Sequence, residues 1–119
     1  GETQVIDNRE GVAQDQRIVY QFEVRDEAKF YANLVWTDAP ASANAAVALV
    51  NDLDLQLTFP DGRVLSSEDH VNNQESLEID SLKPGIYQLA VRGFRVPAAP
   101  EGHQSFAFIY SVFEKKRGP

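Results

Sequence analysis

Apolar and polar residues alternate along most of this chain. Ile18, Tyr20, Phe22 and Val24 recur at every second position, with Val19, Gln21 and Glu23 between them. A two-residue period puts each set on one face of an extended backbone, which predicts a strand with one strongly apolar face. The period returns at Phe30, Ala32, Leu34 and Trp36, in a strand that ends at Thr37-Asp38, where Pro40 removes a ladder donor. The central stretch runs from Val50 to Phe59. There Leu53, Leu55, Leu57 and Phe59 share one face, and Asp52, Asp54, Gln56 and Thr58 the other, as in a half-buried strand. Further alternation over Glu75–Asp80, Ile86–Phe94 and Ser105–Phe113 gives three more strands.

Turn residues separate these runs. Pro60-Asp61-Gly62-Arg63 joins Leu53–Phe59 to Arg63–Leu65 as a hairpin, and Leu82-Lys83-Pro84-Gly85 turns the chain before Ile86. Ala39–Ala48, Ser66–Gln74 and Arg95–Gln104 read as loops. Residues 1–15 are mostly polar and read as a short edge strand or an ordered lead-in, and Glu114–Pro119 as a charged tail. Strands at intervals of about ten residues, with no helical period, predict an all-β fold, an antiparallel β-sandwich or jelly roll of about eight strands. The whole of 1–119 is one domain, with a core over 15–113, a lead-in over 1–14 and a tail over 114–119. Its rings, Tyr20, Phe22, Phe30, Trp36, Tyr87, Phe106, Phe108 and Tyr110, fill the space between two sheets. A sugar-stacking platform needs rings on an outer face instead, where Tyr31 and Phe94 are the candidates.

Composition narrows the chemistry. The 119 residues contain no cysteine, which removes disulfides, thiolate nucleophiles and Cys-based zinc sites. A formal net charge of −7 argues against binding a phosphate backbone, so no nucleic acid partner is expected. No apolar run approaches the roughly 20 residues that cross a bilayer as a helix, and no membrane partner is expected either. The two histidines, His70 and His103, lie in polar loops. Glu68, Asp69 and the Ser66-Ser67 pair flank His70, but a working triad converges from separate elements, so no catalytic residue is assigned.

The acidic residues suggest a cation. Two carboxylates on one strand face repel unless something screens them, and no Lys or Arg occurs between Phe30 and Gly62. Asp38, Asn51, Asp52, Asp54, Asn73 and Glu75 supply hard oxygen ligands from three strand junctions, the donor type calcium takes. The spacing is not that of an EF-hand loop. A solvated acidic sheet edge explains the same residues without a metal, and residue types alone leave both readings open.

Several motifs occur in a fixed order: Leu34-Val35-Trp36-Thr37-Asp38-Ala39-Pro40, Leu49-Val50-Asn51-Asp52-Leu53-Asp54-Leu55, Pro60-Asp61-Gly62, Asn72-Asn73-x-Glu75 and Pro84-Gly85-x-Tyr87-x-Leu89-x-Val91. Over Gln16 to Val112 the chain resembles the C-terminal β-barrel, or jelly-roll, domain that follows the catalytic domain in bacterial and archaeal subtilisin-like serine proteases, a relative of the P domain of proprotein convertases. The resemblance implies a secreted, monomeric, non-catalytic domain that packs on the parent protease and stabilises it. It implies calcium at the matched positions Asp38, Asp52 and Asp54, with Asn51, Asn73 and Glu75 beside them. The protease triad belongs to the preceding domain of such enzymes. A second expectation is a substrate-binding module that tethers a protease to a protein such as collagen, or to a glycan.

Overall fold

The computed structural model describes residues 2–36, 51–67, 74–96 and 103–115. The expected loop at Ala39–Ala48, and Asp38, His70 and Asn73, lie outside these residues. Eight strands run in chain order: β1 (Glu2–Val12), β2 (Arg17–Val24), β3 (Ala28–Val35), β4 (Asp52–Thr58), β5 (Val64–Ser67), β6 (Gln74–Leu82), β7 (Gly85–Arg95) and β8 (Gln104–Glu114). They form two four-stranded sheets, with orders β1-β8-β3-β6 and β2-β7-β4-β5, and every neighbouring pair is antiparallel.

These orders follow from one long nested hairpin. β4 pairs with β5, β3 with β6, β2 with β7 and β1 with β8, and the ribbon then rolls so that β8 meets β3 and β7 meets β4. That is the jelly-roll arrangement. Alternation decides which side chains enter it. In β3 the burial alternates without a break, with Ala28, Phe30, Ala32 and Leu34 at 0 % exposure. Rings from opposite sheets meet in the middle. Phe22 of β2 stacks on Phe30 of β3 at 5.2 Å, and Tyr20 of β2 meets Phe108 of β8 edge-on at 4.8 Å. The eight rings expected to fill the sandwich do so, whereas Tyr31 and Phe94 are exposed.

The ends of elements differ from the sequence expectation. The first strand is eleven residues long, pairs with β8 and brings Val12 into the core. The second arm of the β4–β5 hairpin is Val64–Ser67. Gly93 has a packing reason. A Cβ there would lie 2.1 Å from the Ala13 carbonyl oxygen, because the 13–16 connection crosses β7 at this point. Asp15 N–H donates to the Gly93 carbonyl and Gly93 N–H to the Gln16 carbonyl, which fixes the crossing.

Candidate metal centre

The main departure from the expected pattern is in β4, and it builds the site. Leu53, Leu55 and Leu57 face the core as expected, but Asp52 and Asp54 on the other face are also buried, at 3 % and 0 % exposure. β4 is therefore fully buried at its start. Register explains the room for a third carboxylate. Ser67, the last residue of β5, lies opposite Leu55, so Asp52, Leu53 and Asp54 run beyond the end of β5 in the ladder. Glu75, near the start of β6 in the other sheet, comes to that gap and is 2 % exposed. One oxygen from each of Asp52, Asp54 and Glu75 can be chosen so that all lie within 4.8 Å of one another.

The surroundings are polar. Ser67 Oγ donates to Glu75 Oε2 at 2.7 Å. Arg92, opposite Asp54 on β7, brings its guanidinium to 3.7 Å from Asp54 Oδ2 and 3.7 Å from Asp15. A base from elsewhere in the chain therefore reaches the pair that the sequence between Phe30 and Gly62 leaves without one. Buried like charges at this spacing repel unless a proton or a cation lies among them.

The donor set suits a hard cation. Two oxygens bound to one calcium at about 2.4 Å can stand at most about 4.8 Å apart. The three carboxylates meet that limit, and all their ligand atoms are oxygen. Asn51 adjoins the cluster and is buried, but its Nδ2 donates to Gln104 Oε1 at 2.8 Å. The Trp36 indole donates to the Asn51 carbonyl at 3.1 Å, so this residue ties β3 to the start of β4. The structure thus gathers Asp52, Asp54 and Glu75 from the expected set and puts Asn51 beside them. Sequence reading did not find Arg92, Ser67 or Gln104. The only available signal was the parity that sets Arg92 on the same side of its sheet as Asp54.

The chain matches no family model. It is 27% identical over 103 residues to the serine protease/ABC transporter B family protein tagD of Dictyostelium discoideum, covering 69% of this chain and 6% of that protein. The chain thus spans only a small part of that relative. Among solved structures it is similar to the pre-peptidase C-terminal domain of a collagenase from Bacillus anthracis, with a TM-score of 0.55 and 14% identity over 93% of this chain and 87% of that one. A protein from Sulfurospirillum deleyianum has a TM-score of 0.52 and 8% identity, over 98% of this chain and 99% of that one. At such identities the likeness is one of fold.

Proposed function

We propose that this chain is a non-catalytic accessory domain of a secreted subtilisin-like serine protease, that it stabilises or positions the catalytic domain, and that it holds calcium between Asp52, Asp54 and Glu75. The observation that carries the calcium reading is the convergence of three buried carboxylates from both sheets. The protease context is supported by the ordered motifs of the sequence, by a serine protease-named relative and by a fold like that of a collagenase's pre-peptidase domain. Bound calcium supplies countercharge and a tie between sheets. Asp52 and Asp54 hold the β4 side of that tie, Glu75 the β6 side, and Ser67 orients the Glu75 carboxylate through its hydrogen bond.

The rival reading is a substrate-binding module for a protein such as collagen or for a glycan, and its glycan-stacking form is weakened by position. Tyr31 lies on β3 and Phe94 on β7, on the outer faces of opposite sheets, so the two rings cannot form one platform.

Thermal melting with calcium and with chelator tests the site. At a calcium concentration 100 times Kd the expected stabilisation is about 2.7 kcal/mol, roughly a 10 °C rise in Tm for a domain of this size. The double variant Asp52→Asn/Asp54→Asn should lose that rise. Identical transitions, with no heat on calcium titration, refute the site. The protease role has its own readout: deleting the domain from the parent enzyme should shorten its half-life on heating, and an unchanged half-life and activity argue against it.

A further inference from the structure

At the opposite end of β4 from the acidic cluster, two turns enclose a cleft of about 330 Å³. A seven-residue strand rising about 3.3 Å per residue puts the two sites on the order of 20 Å apart. The floor is Phe59, Pro60, Leu82, Pro84 and Tyr87, and the rim carries Asp61, Arg63, Ser81 and Lys83. A volume of this size, with apolar walls and a few polar groups, is at the small end of preformed ligand sites, which span about 300–1,000 Å³.

The walls are held in place. Phe59 N–H donates to the Arg63 carbonyl at 2.8 Å, Gly62 N–H to the Phe59 carbonyl at 2.9 Å, and Asp61 Oδ1 accepts from Arg63 N–H at 3.0 Å. Tyr87 Oη donates to the Lys83 carbonyl at 2.7 Å and so fixes the second turn. The turns also interlock: Gly85 has φ +155°, and a Cβ there would come within 2.5 Å of Pro60 Cγ. Phe59 meets Tyr87 edge-on at 5.6 Å, and the Arg63 guanidinium lies 4.5 Å above the Phe59 ring.

Charge indicates what enters. The chain carries −7 overall, yet this rim has two cations and one carboxylate, and the adjoining Glu27 carboxylate is engaged by Ser81 and Lys115. Arg63 meets Asp61 through Nε at 2.9 Å, so its terminal nitrogens, with four of the five guanidinium donors, take no hydrogen bond among the described residues. Lys83 enters no ion pair among those residues. We propose that this cleft receives a segment of a protein partner in which a large apolar side chain stands next to Asp or Glu. The apolar side chain covers the Phe59–Tyr87 floor and the carboxylate meets Arg63 and Lys83. Neither contact depends on a cation at the other end.

The test is an amide chemical-shift titration of the 119-residue chain with acetyl-Glu-Phe-Gly amide. Shifts should be confined to 59–63 and 81–87, with Kd on the order of 1 mM, as expected for a single anchoring side chain. Replacing Glu by Gln in the peptide, or Lys83→Glu in the protein, should weaken binding about threefold, the scale of an exposed ion pair. Replacing the peptide Phe by Ala, or filling the cleft with Ser81→Trp, should remove the shifts while the remaining spectrum stays folded. Shifts elsewhere only, equal binding of the Glu and Gln peptides, or equal binding of the Phe and Ala peptides overturns the proposal. Chelator should change none of these results.

Discussion

The two ends of β4 are built on opposite terms. At its C-terminal end the turn donors are met by acceptors a few residues away, and charges such as Asp61 and Arg63 stand in solvent beside each other. At its N-terminal end three carboxylates from two sheets are buried together, with the Arg92 guanidinium 3.7 Å from Asp54. The first arrangement favours folding: it closes the hairpin and sets the register of β5 on β4. The second opposes folding, because gathering buried charges of one sign costs more than an apolar filling of the same volume. A local conflict of that kind marks a place where something other than the fold decides the residues.

The contrast predicts how each end responds to damage. Arg92→Ala should have the largest effect, because it removes the guanidinium 3.7 Å from the buried Asp54 carboxylate. In chelator it should cost about 2 kcal/mol, somewhat less than for a fully buried pair because Arg92 reaches solvent. With calcium the cost should shrink, and an equal loss in both conditions would separate Arg92 from the cluster. Tyr87→Phe, at the other end, removes one hydrogen bond to the Lys83 carbonyl and should cost about 1 kcal/mol, the same with or without calcium. Trp36→Phe removes the indole hydrogen bond to the Asn51 carbonyl and should also cost about 1 kcal/mol, but with a weakened calcium response, since Asn51 precedes Asp52. Denaturant melts at both calcium conditions check all three.

How much of this was legible in the sequence follows the same division. Strand period and turn residues are local properties, so the strands, the Pro60–Arg63 hairpin and the inter-sheet rings could be read directly. The burial of Asp52 and Asp54 could not. Alternation assigns a polar set to the outer face and leaves open whether another element covers that face. It is covered because β5 ends at Ser67 and Glu75 arrives from the second sheet, a consequence of pairing between residues far apart in the chain. The jelly-roll crossover that sets β7 against β4, and with it Arg92 against Asp54, is equally non-local. Glu75 was found as an oxygen donor at a strand junction, whereas Arg92 needed the register.

The smallest expected effects come from titration, and they belong to the well-satisfied end and its surroundings. Burial raises the Tyr87 hydroxyl above its ordinary 10.0, despite the hydrogen bond to Lys83 that works the other way. The folded protein thus holds that proton more tightly than the unfolded chain, and this contribution, full below pH 10, is lost as pH rises through the folded value. Asp61 shifts in the other direction. The Arg63 backbone N–H holds it below its ordinary 3.8, and a hydrogen bond from Ser81, followed by the Lys115 charge, holds Glu27 below 4.5. Their contribution is present above those ordinary values and disappears as pH falls through the lower folded ones. Asp61→Asn should therefore flatten the acid limb of a stability profile slightly, leave the alkaline limb to Tyr87, and leave the calcium response at neutral pH untouched. If Asp61→Asn instead altered that response, the two ends of β4 would be coupled, and the contrast between them would have to be abandoned.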